Sequence, residues 1–449
     1  MFLFAVVFLL AASSNAGSGM MVVRDAETED TIRAMATPLF QAAGVAPEAV
    51  HLFILNDKTP NAFVAEGLRL FIHTGLILKT ETSGQLTGVL AHETGHIVGG
   101  HLIGLREELD TARMGSLLAM VAGAAAAIAS GRGDVGMGVA MAGQQAAMRT
   151  LFSFSRMQES AADQAAVRLL ETTNQSAQGL MDFFNVLNTQ EILLTHQQDP
   201  YVRTHPLTRE RIEFVRHHVE TSPRTTTPLD PILEERHQRV RAKLLAFLEP
   251  SARVLSRYKP ADASVPARYA RAIAFYRKAD LVQALPLMEG LITEWPKDPY
   301  FFEMKGQMLF ENGRLVEAGT AYRHAVSLLP DNALLRTSLG QVLIETEKAD
   351  LLEEATGHLT RAVQREPGNA FSWRLLSIAY GHGDNTPMTA YALAEYALLV
   401  GDTAQARHHA ERAKQMLPKG SPSAVRAQDI VTEAEYRIKQ KGSSQNPRP

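Results

Sequence analysis

The chain of 449 residues has no cysteine. Thiolate zinc, thiol redox catalysis and a lipid-modified N-terminal cysteine are therefore excluded, and an oxidising compartment is tolerated. An excess of positive charge is also lacking. The 45 Lys and Arg stand against 48 Asp and Glu, a formal net charge of −3, so there is no basic footprint for nucleic acid. Aromatic residues make up only 7%, whereas Ala, Leu and Met are plentiful, which leans the chain toward helix. A convincing membrane span is missing too. The uncharged apolar runs at 2–12 and 114–130 hold 11 and 17 residues, short of or at the lower limit for crossing a bilayer.

The first of these runs has the length of an export signal. Ser14 and Ala16 put small residues at both recognition positions of a cleavage site after Ala16, so residues 1–16 read as a signal peptide and the chain as exported. No Lys or Arg precedes the run, which leaves its charge to the N-terminal amine or to an earlier start of translation. The length suffices for two or three hydrophobic cores.

The decisive motif is His92-Glu93-Thr94-Gly95-His96. On a helix, residues four apart project from one face, so His92 and His96 can bind one Zn²⁺. Glu93 can then take a proton from a water polarised by the ion. The apolar lead-in, residues 85–91, is compatible with a buried helix. A zinc peptidase needs a third protein ligand. The metzincin pattern would place a His at position 102, which is Leu102; His101 is one residue short, about 140° from His96 around a helix of 3.6 residues per turn. His101 reads as a structural neighbour of the site. Glu159 is the better third ligand, and Asp163, one turn further, can accept the free ring N–H of a ligating His. The competing reading of this pair is an exposed acidic helix face.

Three stretches in this order resemble the HtpX/CAAX-prenyl-protease type of gluzincin metallopeptidase: Ala91-His92-Glu93-Thr94-Gly95-His96, Glu159-Ser160-Ala161-Ala162-Asp163, and Thr204-His205-Pro206-Leu207-Thr208-Arg209-Glu210-Arg211-Ile212. Asn61-Ala62-Phe63 and the following Leu70-Phe71-Ile72-His73-Thr74-Gly75-Leu76-Ile77 are similar to the strand segment ahead of that family's zinc helix. Arg24-Asp25-Ala26-Glu27-Thr28-Glu29 and the C-terminal repeats resemble the soluble periplasmic, beta-barrel assembly-enhancing branch. The resemblance implies one Zn²⁺ per chain held by His92, His96 and Glu159, with Glu93 as general base. It places His205 beside the metal, where it either caps the open position and keeps the enzyme latent or steadies a tetrahedral intermediate. It also implies a periplasmic location, misfolded outer-membrane proteins as substrates and the outer-membrane assembly machinery as a partner. It also sets Arg211, six residues after His205, behind the metal ligands together with Asp163. Without it, His205-Pro206 is a loop with a solvated His, and Arg211 is a surface salt bridge.

The expected fold is mainly α: a gluzincin-type α+β metalloprotease domain at 17–221, then an α-solenoid of tetratricopeptide repeats. Strands are expected at 50–55 and 69–73, a helix at 82–103 carrying the first motif, and a helix at 155–172 carrying Glu159. A strand beside the zinc helix can pair with an extended substrate through backbone hydrogen bonds. Residues 114–147 read as a helical hairpin with its turn at 131–134. Three roles stay open for it: core packing, a lid, or a surface meeting membrane or unfolded protein. Residues 222–265 read as a linker and connecting helix, the helix covering about 232–248.

From 266 to 438 the chain repeats. Pro296 and Pro330 stand 34 residues apart, the tetratricopeptide period. Counting back from the prolines gives Ala284, Gly306, Ala318, Ala325, Ala355, Ala362, Ala406 and Ala413 at the small positions where paired helices cross. The 37-residue step to Pro367 implies three extra residues near Lys348; the 51-residue step to Pro418 implies an insert near 382–387. Residues 439–449 read as a disordered tail. Such repeats present or restrain a protein substrate. Two functions follow: a zinc endopeptidase acting on misfolded or stalled envelope proteins, or a non-proteolytic chaperone or assembly factor working through the repeats.

Overall fold

The structure, a computed structural model, describes residues 21–65, 67–101, 120, 133–193 and 200–444. The expected signal peptide and, apart from Met120, the run 114–130 lie outside the described residues. Among the described residues no helix is long and apolar enough to cross a membrane.

Four strands form one sheet: β1 (Val22–Val23), β2 (His51–Leu55), β3 (Ala62–Ala65) and β4 (Arg69–His73), in the order β1-β2-β4-β3. β2 runs parallel to β4 and β3 antiparallel to it. Side chains alternate across the pleat. Phe53, Phe71 and Phe63 stack across one face at 5.0 Å between neighbouring rings, while Ile54, Leu70, Ile72, Ala62 and Val64 are buried on the other. β2 and β4 fall where alternation places strands. β3 carries two alanines in four residues, a weak strand signal. Helix α1 (Ala26–Ala42) precedes β2 and was likewise not indicated by periodicity.

Helix α2 (Thr74–Lys79) leads into α3 (Ser83–Val98), which bears the motif. Thr82 caps α3 by accepting the Gln85 amide, and Gly99 and Gly100 end it, the latter at φ +60. The helix expected to reach 103 therefore stops at Val98. Helix α4 (Gly133–Thr172) carries Glu159. It begins well before the expected 155, because residues 135–147 continue unbroken into the Glu159 segment; the first arm of the expected hairpin, apart from Met120, lies outside the described residues. Helices α5 (Gln178–Leu193), α6 (Pro200–Thr204), α7 (Arg209–Thr221) and α8 (Pro231–Leu248) follow.

Glycines let α3 lie close to its neighbours. A Cβ on Gly95 would stand 2.6 Å from the Ala162 carbonyl oxygen of α4, and one on Gly88 would stand 2.7 Å from the Leu180 amide nitrogen of α5. Helix α8 grips the start of α3 from outside. Glu234 accepts the Ser83 amide at 2.7 Å, and His237 Nε2 lies 3.0 Å from Thr80 Oγ1. Burial, helped by the charge of Arg241, pushes His237 down to about 4.

Thr28–Leu244 form one compact unit; the other runs from Leu245 onward and includes the stretch ending at Glu27. Within the latter, Arg24 pairs with Glu366, and the Tyr269 hydroxyl donates to Glu27 at 2.9 Å. Its helices come in antiparallel-repeat pairs: Val265–Tyr276 with Leu281–Glu294, Pro299–Glu311 with Leu315–Leu328, Ala333–Glu345 with Ala349–Arg365, and Ala370–His382 with Thr386–Leu399. The pattern is a tetratricopeptide-like solenoid. Asp298, Asn332, Asn369, Asn385 and Asp402 recur as N-caps. The small positions lie at the crossings: Ala284, Ala318, Ala325, Ala355, Ala362, Ala406 and Ala413 are fully buried, and a Cβ on Gly306 would meet the Tyr322 ring at 2.7 Å. The 37-residue step arises because Ala349–Arg365 has 17 residues where its counterparts have 14. The 51-residue step is not an insert. A tight turn joins His382 to Thr386, and an added helix, Thr403–Met416, fills the distance before Pro418. The final helix, Pro422–Ser444, passes through Lys439, so ordered helix extends beyond the point where composition turns polar. Residues 445–449 lie outside the described residues.

Candidate metal centre

His92 and His96 sit one turn apart on α3 with their Nε2 atoms 3.1 Å apart. From α4, Glu159 Oε2 lies 3.3 Å from His92 Nε2 and Oε1 lies 3.3 Å from His96 Nε2. His205 brings Nδ1 to 3.2 Å from Glu159 Oε1. One ligand atom from each of the four residues can be chosen so that all lie within 4.8 Å of one another. Donors bound at about 2.0–2.1 Å around a tetrahedral ion stand roughly 3.3 Å apart, so these separations fit a metal ion. Imidazoles with one carboxylate suit a divalent transition ion.

The surroundings hold these donors in a defined protonation pattern. His92 Nδ1 lies 2.8 Å from Asp163 Oδ1, so Nδ1–H donates there and Nε2 turns its lone pair to the cluster. Burial opposes charge on His92, but hydrogen bonds to Asp163 and Glu159 outweigh it and raise the imidazole to about 9, a measure of how strongly the two carboxylates favour positive charge at this point. Burial would raise Glu159; hydrogen bonds from His205, His92 and His96 instead hold it well below the usual carboxylate range. Burial lowers His96 despite Glu159. His101 places Nδ1 2.9 Å from His96 Nδ1, and burial together with the His96 charge pushes it down to about 4. It is a neighbour that orients His96.

Glu159 and Asp163 are 4% and 0% exposed, which overturns the exposed acidic face. Arg211 is not a surface salt bridge either, being 3% exposed. Its Nε and Nη2 grip Asp163 at 2.6 and 2.9 Å, Nη1 reaches Glu159 Oε2 at 2.8 Å, and the guanidinium lies over the Phe184 ring. Thr208 caps α7 and so aims Arg211 inward.

His205 follows α6 and is buried, which removes the reading of a solvated loop residue. Its Nε2 donates to the Ala62 carbonyl of β3 at 3.1 Å. The ring stacks on Tyr201 at 4.7 Å between centroids, and Tyr201 meets Phe183 edge-on. Sequence reasoning missed Tyr201; the only signal was an aromatic four residues before His205. Burial and the nearby Glu93 charge push its phenol well above the ordinary value. Both carboxylate oxygens of Glu93 are buried without a hydrogen bond, and Oε1 stands 3.6 Å from His205 Nε2. A bare buried carboxylate is costly unless a cation lies close, so Glu93 adds to the fit for a metal. Cavities of about 710 and 90 Å³ lie in the repeat-bearing unit, away from this cluster, so the site is identified by its donors rather than by a hollow.

A helix bearing His-Glu-x-x-His, a glutamate from a second helix and a buried carboxylate beside them define a metallopeptidase. Residues 24–219 match the model of Peptidase family M48. The putative beta-barrel assembly-enhancing protease of Vibrio cholerae is 23% identical over 418 residues, covering 90% of this chain and 83% of that protein. The beta-barrel assembly-enhancing protease of Escherichia coli strain K12 is 22% identical over 413 residues, covering 90% and 82%. Among solved structures, YrrB, a TPR protein with an unusual peptide-binding site, matches 39% of this chain and 91% of its own at 21% identity and a TM-score of 0.32.

Proposed function

We propose that the chain is a zinc endopeptidase, held latent by His205, that cuts misfolded or stalled proteins of the bacterial envelope. The observation that carries this reading is the set of four donors within 4.8 Å of one another, neighbouring pairs at 3.1–3.3 Å, beside the buried Glu93 carboxylate, which has no hydrogen bond. His92, His96 and Glu159 are the permanent ligands, Asp163 and Arg211 hold them in place, and His205 is a displaceable fourth donor. Bound zinc would polarise the scissile carbonyl and acidify the attacking water. Glu93 takes that water's proton and passes it to the leaving amine. In this reading the peptidase domain covers 17–221, residues 222–265 connect, and the repeats begin at 266 and present the substrate. An export signal at 1–16 and the names of the relatives support a periplasmic location and clients among outer-membrane proteins and their assembly machinery. Contact of 114–147 with membrane or unfolded protein belongs to the same proposal.

The chaperone reading is favoured by one observation, the closure of the cluster by His205. Both roles can reside in one latent enzyme. Metal analysis of the purified chain tests the assignment. About one zinc per chain, lost in His96→Ala and Glu159→Gln, is expected. A wild-type protein without metal after growth in zinc-replete medium, or with equal metal in all three, would overturn it.

A further inference from the structure

On the repeat helix Ala349–Arg365, Glu353, Gly357 and Arg361 follow one another at intervals of four, and all are exposed, so they form one stripe along its outer face. Two other charges of this helix are used within the chain. Glu354 accepts from Arg323 at 2.7 and 2.8 Å, and Arg365 pairs with Asp331. Glu353 and Arg361 make no ion pair or hydrogen bond among the described residues. Gly357 lies between them in mid-helix, where glycine costs stability relative to alanine. Packing inside the chain does not call for it. A Cβ on Gly357 would meet nothing within 4 Å, whereas one on Gly340 would meet Leu359 at 2.5 Å. Gly290 is open as well, but Pro286 and Glu294 stand four residues to either side of it, so no opposite charges flank it. Beside the stripe lies the cavity of about 710 Å³, walled by Leu352, Thr356 and Thr360 of this helix and by Ala379 and Tyr380 of Ala370–His382. Glu353, Gly357 and Arg361 line it too.

Acid, glycine and base at equal spacing are their own complement when reversed. A two-fold axis through Gly357 lays a second copy of the helix antiparallel on the first. Each residue a given number of steps before Gly357 then faces the residue as many steps after it in the other copy. Glu353 of each copy therefore meets Arg361 of the other. Both lie about 6 Å along the helix from Gly357, at 1.5 Å per residue. Helices crossing at about 50° diverge by roughly 5 Å at that distance, which Glu and Arg side chains span. A parallel arrangement would set Glu353 on Glu353 and Arg361 on Arg361, so charge selects the antiparallel one. The bare glycine lets the two backbones approach at the crossing, and the cavity takes the ridge of the second helix.

We propose that the helix Ala349–Arg365 is the contact through which two copies of this chain pair, about a two-fold axis at Gly357. The interface is isologous, the same surface on both copies. A contact centred on one helix is small, so the dimer is reversible, and exposed ion pairs make it salt-sensitive. The charge pattern fits a second copy better than a peptide of one sign, because an acidic peptide is repelled at Glu353 and a basic one at Arg361.

The test is sedimentation velocity of the full chain, carrying Glu93→Gln to prevent self-cleavage, at concentrations up to about 0.2 mM. The parent is expected to pass from monomer to dimer as its concentration rises. Glu353→Arg and Arg361→Glu should each weaken the dimer at least about 10-fold by setting like charges together. The double variant restores the complement in reversed order and should return to within about 3-fold of the parent; an equal mixture of the two single variants should pair as well. Gly357→Gln puts a better helix former where nothing in the chain obstructs it, so its urea midpoint should not fall, yet the added bulk should abolish the dimer. A parent that stays monomeric would overturn the inference and leave the stripe to a different partner. So would a dimer indifferent to both single reversals, or one that neither the double variant nor the mixture recovers while their urea midpoints match the parent's.

Discussion

Among single residues, Arg211 ties the metal centre together. Its guanidinium neutralises Asp163 and reaches Glu159, and Asp163 in turn fixes the His92 tautomer. Burial alone would raise the Asp163 carboxyl; the Arg211 charge and the His92 hydrogen bond keep it low. Arg211→Met leaves two carboxylates buried without their cation and should cost about 3–5 kcal/mol in urea unfolding. A loss below 1 kcal/mol would mean that the pair is solvated. Asp163→Asn keeps the shape but weakens the hold on His92, so zinc affinity in chelator competition should fall about 10–100-fold. The sequence made His92, Glu93 and His96 readable because they lie within one and a half turns of one helix. Glu159 and Asp163 were readable because metal chemistry demands a carboxylate. The burial of Arg211 was not readable, since its partner lies 48 residues away and the contact arises only when α4 and α7 pack. Tyr201 escaped for the same reason.

Among elements, the centre depends on how closely α3 meets α4. Gly95 lies inside the motif, and a methyl there would stand 2.6 Å from a backbone carbonyl that has no side chain to move aside. Gly95→Ala should therefore destabilise the fold by about 1–3 kcal/mol and loosen zinc binding, measured by unfolding and by chelator competition. Helix α8 adds a pH dependence. His237 is near 4 when folded and near its ordinary 6.5 when unfolded. Between these values the unfolded chain binds more protons, so stability falls as pH drops from 6.5 toward 4, by at most about 3 kcal/mol. Urea midpoints at pH 4.5 and 7 should differ less in His237→Gln than in wild type; an equal difference would show that His237 is already charged when folded. Periodicity located β2, β4, α3 and α8. It missed β3 because two alanines mask the alternation, and it started α4 too late in the chain because residues 135–147 look like a separate arm when glycines are read as breaks.

At the scale of the whole molecule, the prolines and alanines of the repeats carried the most information. A 34-residue period set the helix pairs, and the small residues marked their crossings. The added helix Thr403–Met416 was hidden because it keeps the alanine spacing of its neighbours, so a half-repeat looked like an insert. The polar end of Pro422–Ser444 looked disordered because its composition is that of a solvated helix as much as that of a tail. The central claim is a latent peptidase, and one comparison tests it most directly: cleavage of unfolded casein by zinc-loaded wild type, Glu93→Gln and His205→Ala, each with its zinc content measured. The account predicts about one zinc per chain in all three, low activity in wild type, higher activity in His205→Ala and none in Glu93→Gln. Zinc bound in all three with no cleavage in any, His205→Ala included, would contradict it and leave the repeats as the working part of the protein.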